Sequence, residues 1–310
     1  MNHHCISCER IPQNASIHES AQAILGLPVA REFDIARLRP ASLPRGDRFE
    51  TVADARARRD IELDRFKRIP GLSHVADRLF SCSAESPCAE VYCPSCGRLF
   101  RRWFTGQALR HQTALDLRVL TVALELVPSN RLPKCDFLVV KRRAAQRLRR
   151  VAPSADFVLG GIEAEYRLGD DAFLLHAHLL VSPLPRDELN ELRSAFANID
   201  VVRPIKVQQL KDAPRQISYL IKFTTFHRPG SQNGPHRPRA IPLPDPALKQ
   251  ITLWRAQYAF LDFVLMMHLR RNNGDLVRID NKKAKCSRTR RLRGLRGPRT
   301  HKAKSQTPHS

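Results

Sequence analysis

The sequence predicts an α+β fold: a central antiparallel sheet that carries a pair of histidines, flanked by helices, with a cysteine-rich zinc-binding element upstream. Three observations predict it. The runs "FVLGGIEAEYRL" and "AFLLHAHLLV" are apolar, of strand length, and separated by Gly169, Asp170 and Asp171, which are turn formers, so they read as a hairpin. Stretches such as "RDELNELRSAF" carry helical periodicity between the strands. Four cysteines crowd into "CSAESPCAEVYCPSC", residues 82–96.

In chain order, residues 1–80 form an accessory region, punctuated by Pro and Arg, with one helix expected over 51–68. The cysteine element, 81–115, runs into a Trp- and Arg-containing helix, "RLFRRWFTGQALRHQ". A main domain follows over 116–267. It opens with the strand "LRVLTVALEL" and the basic helix "FLVVKRRAAQRLRR", then continues through the hairpin and the amphipathic helix after Pro185. A short strand "VVRPIKVQQL", a helix "APRQISYLIKF" with Pro214 near its start, and a long apolar helix "ITLWRAQYAFLDFVLMMHL" complete it. Residues 268–310 hold 14 Lys or Arg against 2 Asp, and read as a basic, disordered tail that adds nonspecific affinity for DNA.

A chain of 310 residues has ample apolar content for a core, and its net charge of +23 argues for a polyanionic partner, most simply nucleic acid, with an acidic membrane surface the lesser alternative. No run of 18 apolar residues appears, and "MNHHCISCERIPQ" lacks the pattern of a secretory signal, so a cytoplasmic protein without membrane partners is expected. Eight cysteines in that setting point to metal before disulfides. Cys82, Cys88, Cys93 and Cys96 can close a tetrahedral shell around a structural Zn2+, with all four positions filled and none left for catalysis. Cys5 and Cys8, beside His3 and His4, lack a partner cluster, and Cys135 and Cys286 stand alone.

In a strand His176 and His178 point the same way, and a turn centred between Asp170 and Asp171 sets Glu165 opposite His176 and Glu163 opposite His178. Two carboxylates and two imidazoles make a shell for a divalent cation such as Mg2+ or Mn2+. On the helix expected downstream, Tyr219 and Lys222 stand three apart and share a face. A phenol is a weak nucleophile at neutral pH, and a nearby Lys or a metal-polarised phosphate lowers that obstacle. Tyr166 and Tyr258 read as structural. Lys141, Arg142, Arg143, Arg147, Arg149 and Arg150 crowd one helix, a solvated face on its own and a DNA-backbone track beside a phosphodiester site.

Together these motifs resemble those of the HUH endonucleases, and within them the single-tyrosine initiators of plasmid rolling-circle replication. His176-Ala177-His178 looks like the family's name motif, and Tyr219-Leu220-Ile221-Lys222 resembles its tyrosine motif. "LRVLTVALEL" is similar to the opening strand, "GGIEAEY" to the acidic strand before the histidines, and Cys93-Pro94-Ser95-Cys96 to a cysteine element upstream of the sheet. The resemblance covers roughly residues 82–226. It implies a metal-dependent nickase and strand transferase in which Tyr219 attacks a phosphate in single-stranded or hairpin origin DNA. The products are a 5′-phosphotyrosine link and a 3′-hydroxyl that primes replication. It further implies host replication proteins such as a helicase as partners, and a bacterial cytoplasm. A single-tyrosine HUH transposase would use the same residues. A noncatalytic zinc-containing DNA-binding regulator, with the histidine strand as mere core, is the reading from a different class.

Overall fold

The computed structural model describes residues 50–83, 86–112, 115–197, 204–223, 225–227, 241–272 and 275–279. Cys5, Cys8, Cys286 and most of the basic tail lie outside the described residues.

Five antiparallel strands form the central sheet: β1 (Arg118–Pro128), β2 (Val158–Arg167), β3 (Ala172–Val181), β4 (Ile205–Gln209) and β7 (Val264–Met267). Their order across the sheet is β4-β1-β3-β2-β7. Between β4 and β7 in the chain, β5 (Phe226–His227) and β6 (Ile241–Pro242) pair as a separate two-residue ladder. The histidine strand β3 is central because its other face is wholly apolar: Phe173, Leu175, Ala177 and Leu179 are fully buried. A strand buried on both sides needs neighbours on both edges, and β1 and β2 supply them.

The hairpin register departs from the expected one, and the turn explains why. The loop is Leu168–Asp171, a short 3-10 turn closed by Asp171 in the left-handed region at φ 42°. Aspartate tolerates that conformation, and here it is pinned twice: its carboxylate accepts from Tyr166 Oη at 2.9 Å and its carbonyl from Ser129 N–H at 2.9 Å. The hairpin therefore pairs Glu163 with His176 and Gly161 with His178, and moves Glu165 out to face Leu174. A slip of two residues keeps every side chain on its face.

Helices cover both faces. On the histidine side lie α1 (Val52–Arg68), α2 (Ser73–Phe80), α3 (Pro94–Gln112) and the short α6 (Ala213–Ser218), with α3 packed on α1 and α6. Thr51 and Asp54 close a capping box on α1, an arrangement that typically adds about 1 kcal/mol to a helix. On the opposite side, Leu189 of α5 (Arg186–Ala195) shares a groove with Leu120, Val181 and Val207 of the sheet. The basic helix α4 (Phe137–Val151) packs against α5.

Two expectations for the C-terminal part are corrected. The long apolar run is not one helix but α7 (Asp245–Arg255), a 3-10 turn at Phe260–Phe263, and β7. The Val-Leu-Met-Met stretch completes the sheet by pairing with β2, which satisfies backbone groups along that edge. The tail is also not structureless from 268. Strands β8 (Leu269–Asn272) and β9 (Asp275–Arg278) form a hairpin tied to α3, where Gln107 and Arg110 donate to Asp275 at 2.8 Å. Leu269 and Leu276 are buried, and one hydrophobic cluster runs from Leu63 to Leu276 across the expected divisions at 80, 115 and 267. Among the described residues no helix is long and apolar enough to cross a membrane.

Candidate metal and tyrosine site

Glu163, His176 and His178 bring one ligand atom each to within 4.8 Å of one another. His176 Nδ1–H donates to the Leu174 carbonyl at 3.2 Å, which leaves Nε2 with the lone pair, 3.9 Å from a Glu163 carboxylate oxygen. His178 Nδ1 meets Thr121 Oγ1 of β1 at 3.0 Å. In each imidazole one nitrogen is thus occupied by the scaffold, the arrangement that orients a metal-ligating histidine. Burial lowers the pKa of both rings. His178 is pushed down to about 3, with the His176, Lys222 and Lys206 charges adding to the effect. Both imidazoles are therefore neutral near pH 7, the form that binds a cation. Burial pushes the Glu163 carboxyl up to about 8, opposed by Lys222 and Arg255. Two neutral imidazoles and one carboxyl in a buried pocket fit a divalent cation, which would replace the carboxyl proton. The expected fourth ligand is corrected: Glu165 is exposed, faces Leu174, and is not among the converging atoms.

The tyrosine segment reaches this pocket because its helix stops early. The expected helix through Lys222 ends at Ser218, with Tyr219 as its C-cap. Tyr219 and Leu220 N–H groups fall back on Gln216 and Ile217 carbonyls, tightening the last turn, and the Lys222 N–H is given to Glu163 Oε1 instead of continuing the helix. The buried carboxylate captures the chain. Leu220 and Ile221 then lie directly on the bare backbone of Gly161, the partner of His178. Tyr219 is left 53% exposed, and Lys222 Nζ sits over its ring at 3.9 Å from the centroid. Tyr166 and Tyr258 are tied down elsewhere: Tyr258 Oη donates to the Cys135 carbonyl at 3.1 Å and accepts from Phe137 N–H at 3.3 Å.

The cysteine group is a second site with its own dimensions. Sulfurs about 2.3 Å from a central zinc form a tetrahedron with edges of about 3.8 Å. Here Cys82 lies 3.7 Å from Cys96 and 3.6 Å from Cys93, and Cys88 lies 3.7 Å from Cys96, all four being buried. Pro94 opens α3 directly after Cys93, so Cys93 and Cys96 sit at the positive end of that helix. Hydrogen bonds from the neighbouring cysteines, the Cys88 backbone N–H among them, push the Cys82 thiol pKa far down, while those of Cys93 and Cys96 rise. The set can hold a zinc ion.

The basic helix is not where the phosphodiester reading needs it. Through its packing on α5, α4 lies in the layer across the sheet from the histidines. Lys141 donates to the Asp262 carbonyl at 2.8 Å, Arg147 stacks 5.0 Å over Phe196, and Arg142, Arg143, Arg149 and Arg150 are exposed on that far side. The cations beside the site come instead from scattered positions: Arg58, Arg98, Arg101, Arg215 and Lys222 line one cleft with Tyr219. Arg255, fully buried, stands within electrostatic reach of both Glu163 and Glu62. No sequence pattern marks these arginines, because they come from α1, α3, α6 and α7 and meet only in the fold. No family model matches the chain, and neither curated proteins nor solved structures show a match.

Proposed function

We propose that the chain is a metal-dependent DNA nickase and strand transferase, of the kind that initiates rolling-circle replication. The observation that carries this reading is the meeting of Glu163, His176 and His178 with the Tyr219–Lys222 segment, joined by the Lys222 N–H bond to Glu163. A cation held by these three residues would polarise a phosphate oxygen and make phosphorus more electrophilic. Tyr219 is the accessible hydroxyl. Its oxygen attacks the scissile phosphorus, the bond from phosphorus to the 3′-oxygen breaks, the phenol loses its proton, and the departing 3′-oxygen gains one. The link keeps the energy of the original diester, so a second 3′-hydroxyl can reverse the step. Lys222, above the ring, offers a positive charge to the phosphate. On this reading the partners are single-stranded or hairpin origin DNA and host replication proteins such as a helicase.

The test is a covalent adduct. A pool of labelled single strands and hairpins, incubated with the full chain and Mn2+, should yield a protein-bound product that mass spectrometry maps to Tyr219. Tyr219→Phe should lose it, and Tyr166→Phe and Tyr258→Phe should keep it. Replacing His176 and His178 together by Ala should abolish cleavage but not DNA binding, which rests on spread phosphate contacts. A nucleotide on another tyrosine, or full nicking by the folded double-histidine variant, would overturn the assignment.

A further inference from the structure

The nicking reading leaves unused a cleft of about 390 Å3 that shares the Tyr219 wall. Arg58 enters it from α1, Arg98 and Arg101 from α3, Arg215 from α6, and Lys222 from the tyrosine segment; the acids in the same lining are Glu50 and Asp54. Glu50 is held from several directions at once. Its carboxylate accepts from Arg58 and from Arg101, and its carbonyl accepts from Arg98 Nε at 3.0 Å. Only 12% of the Glu50 side chain is exposed.

A carboxylate whose two oxygens are each gripped by a guanidinium has the same pattern of acceptors as the two nonbridging oxygens of a phosphodiester. The cleft has the volume of a small-ligand site, on the order of 300–1,000 Å3. With five cations and two acids in its lining, the cleft favours an anion. A strand whose scissile phosphate lies at Tyr219 must carry its next phosphate within one nucleotide of that wall.

We infer that this cleft seats a backbone phosphate of single-stranded DNA next to the scissile one, and that the Glu50 carboxylate occupies the seat until DNA displaces it. The identity of the anion as DNA rests on the nicking reading; the seat itself rests on the arginines. Cys93, Pro94 and Gly97 complete part of the wall, so the cysteine site and the seat share the first turns of α3.

The experiment measures binding of a fluorescein-labelled single-stranded oligonucleotide by anisotropy across a salt series, using the zinc-loaded full chain with Tyr219→Phe. Glu50→Gln removes the competing charge and should tighten binding several-fold, a gain that a misfolded protein cannot mimic. Arg98→Ala with Arg215→Ala should weaken binding about tenfold or more, and flatten the logarithmic salt slope by about 0.7 for each phosphate no longer neutralised. Unchanged or weaker binding by a Glu50→Gln protein that melts like its parent would overturn the inference. So would an unchanged salt slope in the arginine variant. The two readings fail separately: absence of any tyrosine adduct with the Glu50 effect intact defeats nicking and leaves the seat, whereas an adduct on Tyr219 with no Glu50 effect defeats the seat alone.

Discussion

Replacing Gly161 by Ala probes how closely the tyrosine segment must rest on the sheet. A Cβ at 161 would stand 2.4 Å from Ile221 Cγ1, 2.5 Å from the Leu220 carbonyl oxygen and 3.3 Å from Ile221 Cα. Ordinary contact begins near 3.4 Å, so the segment has to retreat by about 1 Å. The Ile221 side chain could rotate away, but the Leu220 oxygen is backbone and cannot. Retreat carries the Lys222 N–H away from Glu163 and shifts Tyr219 relative to Glu163, His176 and His178. Overpacking of this kind costs about 1–3 kcal/mol, which for a domain of this size is a fall of several degrees in melting temperature. Misplacing a reacting group by about 1 Å costs on the order of a hundredfold in rate. Single-turnover formation of the tyrosine adduct, measured beside a melting curve, separates the two losses. A Gly161→Ala protein that melts and reacts like the parent would show that the segment does not rest on the sheet as closely as these distances require.

Removal of zinc with a strong chelator should unfold residues of the 82–96 segment, lower the melting temperature and weaken single-strand binding. Elemental analysis of the purified protein should find about one tightly held zinc per chain, and a folded, active protein with none would refute the site. His111 gives a pH dependence of known sign. Its ring hydrogen-bonds the Leu276 carbonyl at 2.9 Å, and burial holds its pKa below the ordinary value near 6.5. The unfolded chain therefore takes up this proton first, so the contribution is whole above about pH 6.5 and is lost as pH falls below it. Melting temperatures of the parent between pH 7.5 and 5 should fall more steeply than those of His111→Phe; parallel curves would contradict this.

What the sequence disclosed and what it hid follow from the range of the interactions. The pairing of His176 with His178 on one face needs only the two-residue period of a strand, and the cysteine site needs only short spacing. Both are legible in the sequence. The choice between Glu163 and Glu165 hangs on a single turn, and a loop of Gly, Asp and Asp does not announce which residue will take the left-handed conformation. Asp171 is selected by Tyr166 and Ser129, contacts visible only in three dimensions. The helix before Tyr219 stops short for a reason equally remote: its local pattern continues to Lys222, but Glu163, some sixty residues earlier in the chain, takes the amide that would have extended it. The basic face of α4 misleads because a run of arginines shows charge and not which side of a sheet it will occupy.

The N-terminal helices, set apart in the sequence as an accessory region, belong to the electrostatics of the site. Glu62 of α1 is buried, accepts from Thr225 Oγ1, and has its pKa raised by desolvation. Arg255, pushed down to about 10 by burial, is held up by Glu163 and by Glu62. Arg101, lowered by burial, is likewise supported by Glu50 and Glu163. Acid and base thus alternate from α1 through α7 to β2 and on to α3. A buried charge is tolerated only with a partner, so removing any one of these groups leaves the next without part of its electrostatic support. Glu163, which could ligate a cation and which accepts the Lys222 N–H, is therefore linked to charged residues on three other elements, two of which precede the sheet. The apolar cluster that runs from Leu63 to Leu276 holds these elements around that carboxyl: the packing that makes one core also brings charged groups remote in the chain to one place.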